Sequence, residues 1–193
     1  MSRYRIKPTQ LDRQVALQLA RHASSYLEDS ARLLTIAADE RILAVAAGIV
    51  WLASRSIDSR HRAQANYLAL NVAIAAVLPH LLKHAFTQLR PDRRLVHGRR
   101  HGIPISGKAY DAFPSGHAVH VGAIASALSR YYPGQRALIW SVGAGLVATR
   151  VILLAHWVSD VVAGLALGSA VEALLWRIVR GGRKRRRQID VDR

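Results

Sequence analysis

The chain has 193 residues, with 28 Lys and Arg against 12 Asp and Glu, and a formal net charge of +16. Half of it (51%) is hydrophobic, enough apolar side chain to bury a core, which excludes wholesale disorder. There is no cysteine, which excludes a disulfide framework, a thiolate zinc site, an iron–sulfur cluster and a cysteine nucleophile.

The length suits one domain over residues 1–193. A strong basic excess raises nucleic acid as a partner, but the charge is segregated: long stretches almost free of it alternate with heavily loaded ones. Such blocks suggest membrane spans joined by basic loops, and no nucleic-acid partner is expected.

In chain order, residues 1–30 open with Arg3, Arg5 and Lys7 and lack the apolar core of a removable signal. From Thr9, Leu11, Val15, Leu17, Leu19 and Leu27 recur with Asp12, Arg13, Arg21 and Glu28 in a helical rhythm. This predicts an amphipathic helix, either at the membrane surface or packed on the rest of the protein. Ile42–Ala53 supplies only twelve residues, short of the roughly 20 that cross about 30 Å of hydrocarbon. Extending it back to Leu33 gives a first span. A second runs over Ala63–Leu82, with Pro79 as a kink. Three more cover about 116–130, 136–154 and 157–179, rich in Ala, Gly, Ser, Leu and Val; Gly122, Gly143, Gly145, Gly164 and Gly168 let backbones approach closely. The expected fold is thus an all-α polytopic membrane helix bundle of about five transmembrane helices plus the N-terminal amphipathic helix. A soluble all-α bundle is the competing reading, and the helices without a polar face stand against it. Residues 84–114 form a long irregular loop carrying Arg90, Arg93, Arg94, Arg99, Arg100 and Lys108, and 180–193 a basic tail.

Three constellations sit at the ends of spans: Lys83 with Arg90-Pro91, Pro114-Ser-Gly-His117, and Arg150 with His156 and Asp160. Spans that alternate in direction bring all three to one side of the membrane, where ionisable groups are functional candidates by default. Lys83, Arg90 and Arg150 suit a phosphate. Ser115 and Gly116 place N–H groups and a hydroxyl at a helix N-terminus, an anion site. His156 and Asp160 are spaced i, i+4, so the carboxylate can hold one imidazole nitrogen and leave the other as a nucleophile. His117, from another helix, would protonate the leaving oxygen. Arg150 and His156 are six residues apart, about 600° of rotation on an unbroken helix, so a turn near Leu154–Trp157 is required for both to face the phosphate.

Taken together, Lys83-x6-Arg90-Pro91, Pro114-Ser-Gly-His117 and Arg150-x5-His156-x3-Asp160 resemble the three-part signature of the type 2 phosphatidic acid phosphatases, relatives of vanadium haloperoxidases and bacterial acid phosphatases. The resemblance covers residues 83–160. Thr149 stands where the family often has Ser, and Val158 where Pro is frequent; neither removes a catalytic group. The resemblance implies His156 as nucleophile, Asp160 as its orienter and His117 as general acid, with Lys83, Arg90, Ser115, Gly116 and Arg150 binding phosphate. It implies no metal and no cofactor, because fixed cations hold the phosphoryl oxygens.

The remaining histidines (His22, His61, His80, His84, His97, His101 and His120) read as structural, with a supporting contact from His120 to the His117 turn left open. Asp92 and Asp111 read as loop-ordering carboxylates, and Asn71 and Glu172 as bonds between helices. Twelve basic residues fall on the tail's side, from Arg55, Arg60, Arg62, Arg130 and Arg136 to the Arg177–Arg187 run, with a comparable number opposite. Setting the phosphate ligands aside leans toward a cytoplasmic tail in a bacterial inner membrane and an extracytoplasmic site. The expected substrate is a lipid phosphate or diphosphate arriving through the bilayer: polyprenyl diphosphate, phosphatidate, phosphatidylglycerol phosphate or a lipid A type. The chain gives no oligomeric state. Rival readings are a phosphotransferase or haloperoxidase on the same site, and a non-catalytic binder of anionic lipid, which would not need His117, His156 and Asp160.

Overall fold

The computed structural model describes residues 4–92 and 108–191, with side chains to 181. In order these form β1 (Tyr4–Arg5), α1 (Gln10–His22), α2 (Ser25–Ala37), α3 (Glu40–Ala53), α4 (Ser59–Ala85), β2 (Phe86–Thr87), α5 (Gly116–Tyr131), α6 (Arg136–Ile152) and α7 (Val158–Val191). The first four helices each begin after a side chain that accepts an orphan N–H. Thr9 takes that of Asp12, Ser24 that of Leu27, Asp39 that of Arg41 and Asp58 those of Arg60 and His61. These caps mark where the elements differ from expectation. The N-terminal stretch 1–30 is interrupted at Ala23–Ser24, and the expected first span from Leu33 to Ala53 is divided at Ala38–Asp39. The basic run expected as a tail is helical through Val191, continuing α7.

From α3 on, the helices alternate in direction. At one end Tyr67, early in α4, meets Tyr131 at the end of α5 and Trp176 midway along α7, with ring centroids 6.1 and 5.7 Å away. At the other end α4 delivers Lys83, α5 starts at Gly116, α6 ends beyond Arg150 and α7 starts at Val158. The Tyr67 end is held by a buried carboxylate: Glu172 accepts from Tyr67 (2.7 Å), Ser126 (2.9 Å) and Arg130 (2.6 Å), a fully paired network suited to an apolar surround. Glu172 therefore joins α4, α5 and α7 as expected. Asn71 makes no bond between helices among the described residues; its amide donates to the Tyr67 carbonyl one turn back in α4.

Helix α5 is the centre of the bundle, burying Ala118, Val119, Val121, Ala123, Ala125 and Ala127. It lies so close to α7 that a Cβ on Gly164 would stand 2.7 Å from both the Ala118 methyl and the Ser115 carbonyl oxygen, and one on Gly168 would strike the Val119 carbonyl. Gly168→Ala is accordingly expected to destabilise by about 1–3 kcal/mol, because rigid backbone must move to admit the methyl. A lowered thermal midpoint in detergent, against an unchanged one for Gly145→Ala, whose site is open space, checks this; equal midpoints refute it.

Two helices, Ser59–Ala85 and Val158–Gly181, are long and apolar enough to cross a membrane, and only 33% and 28% of their apolar windows are buried. A soluble core helix would bury most of that surface; here Val77, Leu81, Leu174 and Ile178 point outward. Helices α3 and α5, with 14 and 16 residues, fall below the usual length of a span, and α6, with 17, lies at its lower limit. A parallel pairing of β1 with β2 ties the N-terminus to the segment after Lys83, with Tyr4 opposite Phe86 and Arg5 opposite Thr87.

Candidate active site

The required turn is present. Helix α6 ends at Ile152, Leu154 takes the left-handed conformation (φ 54°), and the Arg150 carbonyl accepts the N–H groups of both Ala155 (3.0 Å) and His156 (3.2 Å). A left-handed leucine costs about 1–2 kcal/mol. Burial of Leu154 among Ala16, Ala112 and Trp157 holds it there. The reversal lets Arg150 and His156 serve one site, which an unbroken helix would prevent.

His156 is buried, and its Nδ1 lies 2.7 Å from the Ala112 carbonyl oxygen. A carbonyl only accepts, so Nδ1 carries the proton and the neutral ring keeps its lone pair on Nε2. Asp160 was expected to make that bond. Its Oδ2 stands 3.7 Å from Nδ1 and instead accepts the Trp157 N–H at 2.9 Å. The carboxylate thus acts on the ring at longer range, while a backbone carbonyl fixes its tautomer. The buried Gln88 amide lies beside Asp160 without completing a hydrogen bond to it. Burial, and then the charges of Arg90, Arg150 and Lys83, hold the His156 imidazole well below the usual histidine range, against a smaller opposing pull from the Ala112 carbonyl. A neutral ring keeps its Nε2 lone pair available, as a nucleophile requires.

The cations arrive from separate segments. Arg90 is buried and donates to three backbone carbonyls: Ala155 at 3.0 Å, Lys108 at 3.2 Å and Asp111 at 3.4 Å. Trp157 returns a bond to the Leu89 carbonyl at 2.8 Å, so the first and third constellations are stitched together. Arg150 is also buried; one Nη donates to Thr35 of α2 at 3.1 Å, and its Nε has no partner among the described residues. Lys83 pairs with Asp111 at 3.6 Å, which gives that loop carboxylate its ordering role.

At the start of α5, Ser115 is fully buried, its hydroxyl has no partner among the described residues, and its N–H donates to the Asp160 carbonyl at 3.3 Å. That N–H, expected to face an anion, is therefore spent on α7. The N–H groups of Gly116 and His117, in the first turn of α5, have no acceptor within the helix and remain suited to one. His117 lies within electrostatic reach of Arg150 and Arg90, the same two guanidinium groups that act on His156. His120, buried one turn on, bonds the Gly116 carbonyl at 3.0 Å and so supports that first turn. All eight predicted site residues thus fall at one end of the bundle.

Several residues near the site gave no motif. Thr35 reaches Arg150, Asp39 lies near both His117 and Arg150, and Glu40 approaches Gly116, 3.7 Å from where a Cβ would sit. Arg93, Arg94, Arg99, Arg100, His97 and His101 lie outside the described residues. Among the described residues, no three His, Asp or Glu side chains group as metal ligands would.

This arrangement has relatives. A lipid A 1-phosphatase of Rhizobium johnstonii is 39% identical over 104 residues, 53% of this chain but only 43% of the relative, so the chain matches less than half the length of that curated protein. Among solved structures, LpxE of Aquifex aeolicus superposes with a TM-score of 0.72 at 18% identity, covering 89% of this chain and 98% of that one. A transmembrane PAP2-type phosphatidylglycerolphosphate phosphatase of Bacillus subtilis gives 0.63 at 15% identity over 88% and 85%. At such identities the likeness is one of fold. The sequence pattern of the PAP2 superfamily itself covers residues 64–184, from α4 through all three constellations and into α7, and the chain belongs to that superfamily.

Proposed function

We propose that the protein is an integral membrane lipid phosphatase that works through a phosphohistidine without a metal. The observation that carries this is the buried, neutral His156, its Nδ1 proton committed to Ala112 and its Nε2 free beside Arg90 and Arg150. In the reaction, Nε2 attacks phosphorus, the bond from phosphorus to the lipid oxygen breaks, and His117, which takes up a proton as the anionic substrate enters beside it, gives that proton to the oxygen. Water, deprotonated by His117, then attacks phosphorus; the N–P bond breaks and inorganic phosphate leaves. Arg90, Arg150, Lys83 and the first-turn N–H groups of α5 stabilise the equatorial oxygens as charge spreads over them.

The naming of the Rhizobium relative favours a lipid A type phosphate, with phosphatidate, phosphatidylglycerol phosphate and polyprenyl diphosphate as the alternatives. The outward apolar side chains of α3, α4, α6 and α7, set around the buried α5, support five membrane crossings, with the shorter helices lengthened by their flanks. The basic end of α7 would lie in the cytoplasm of a bacterium and the site on the outer side of its inner membrane.

Purified in detergent with a chelator, the protein should release inorganic phosphate from at least one of these four lipids. Release from none, or strict dependence on added magnesium, overturns the reading; transfer of the phosphoryl group to an added alcohol in place of water would reassign it as a phosphotransferase.

A further inference from the structure

We propose that Asp12, on a helix outside the part of the chain matched by the superfamily pattern, is a positioning residue for the reaction at His156, acting by capping the first turn of α7. The inference rests on the phosphatase reading. Asp12 is almost completely buried. Its Oδ1 accepts the Ser159 N–H at 2.8 Å, and its Oδ2 accepts the Ser159 hydroxyl at 2.7 Å and the Thr9 N–H at 2.8 Å. Ser159 is the second residue of α7, so its N–H is one of the donors a helix start leaves without an acceptor. Such a donor is ordinarily met by a residue just before the helix; here the cap comes from 147 positions away. Burial pushes the Asp12 carboxyl up, but the bonds from Ser159 and Thr9 together outweigh it and hold the group below the usual carboxylate range. A full negative charge therefore sits at the positive end of α7.

That first turn carries much of the site. Its Asp160 faces His156, and its Asp160 carbonyl takes the Ser115 N–H. Helix α1 also lays Ala16 against Leu154, Ala112 and Trp157, covering the turn that aims His156. Ahead of it, Ile6 donates to the Thr87 carbonyl at 2.9 Å, extending the β1–β2 contact next to Lys83 and Arg90. The N-terminal segment thus clasps the first and third constellations at once. Arg90 and Arg150 have anchors of their own on backbone carbonyls and Thr35. Loss of the cap should therefore misplace the nucleophile more than it weakens phosphate binding.

The test uses the full chain in detergent, following inorganic phosphate released from phosphatidate and from lipid A, with Asp12→Ala, Asp12→Asn and Thr9→Ala. Thr9→Ala removes the α1 cap but leaves the Ser159 contacts. Asp12→Ala is expected to lower kcat about 10–100-fold, the usual range for a displaced catalytic group, with KM within about threefold. Asp12→Asn, which keeps one acceptor for Ser159, should recover most of that loss, and Thr9→Ala should stay near the parent. The amides of residues 156–162 should exchange faster in Asp12→Ala than in Thr9→Ala. Unchanged kcat in Asp12→Ala, an equal loss in Thr9→Ala, or a loss confined to KM overturns the proposal. If Asp12→Ala does not fold, Asp12→Asn against Thr9→Ala decides on the same readouts. If the parent releases no phosphate from either lipid, the phosphatase reading fails for those lipids, while the exchange comparison still decides whether Asp12 holds α7.

Discussion

Replacing His156 by alanine is expected to reduce phosphate release by at least about 10³-fold, the scale of losing a nucleophile and with it the covalent route. The substitution deletes the one protein atom that bonds to phosphorus in the proposed mechanism. It also removes the 2.7 Å bond to the Ala112 carbonyl, a loss of about 1 kcal/mol. The bonds that set the local chain path all remain: Arg150 to the backbone of 155 and 156, Arg90 to Ala155 and Trp157 to Leu89. The variant should therefore fold, with a thermal midpoint near the parent, and still retain phosphate through its cations. Initial rates on the preferred lipid, together with acid-labile labelling of the protein by ³²P-lipid, check this. Turnover within tenfold of the parent would remove His156 from the mechanism.

The candidate site was legible in the sequence where the signal was carried by side chains at fixed spacing. Lys83, Arg90, His117, Arg150, His156 and Asp160 are chemically conspicuous next to apolar runs, and the arithmetic of helical rotation between residues 150 and 156 already demanded the turn found at Leu154. What was not legible depends on backbone or on distant partners. The Ala112 carbonyl that fixes the His156 tautomer belongs to an alanine in an irregular loop, where no side chain marks its role. The break at Ala38–Asp39 is invisible to hydropathy, which averages over a window longer than one cap. For α1 the amphipathic rhythm was real, but periodicity says that a face is covered, not what covers it. In the structure Thr9 and Asp12 form a local capping box, and the second use of Asp12 at Ser159 requires the fold.

Arg150→Lys is expected to lower kcat about 10²-fold, comparable with removing one donor that meets developing charge, although the formal charge is kept. Arg150 donates through one Nη to Thr35 and has its Nε without a partner among the described residues. Its fork therefore has a fixed side and an open side, the geometry for bidentate contact with a phosphoryl group. An ammonium on a flexible stem cannot hold Thr35 and two phosphoryl oxygens in one plane. Architecture should be spared, because the turn hangs on the Arg150 carbonyl, which lysine retains. The same change at Arg90 would instead strip three carbonyls of their donor and should cost stability as well as rate. Comparing kcat and thermal midpoint for the two lysine variants separates these roles. A midpoint loss at position 150 equal to that at position 90, or parental kcat in Arg150→Lys, would make Arg150 a structural residue rather than a phosphate ligand.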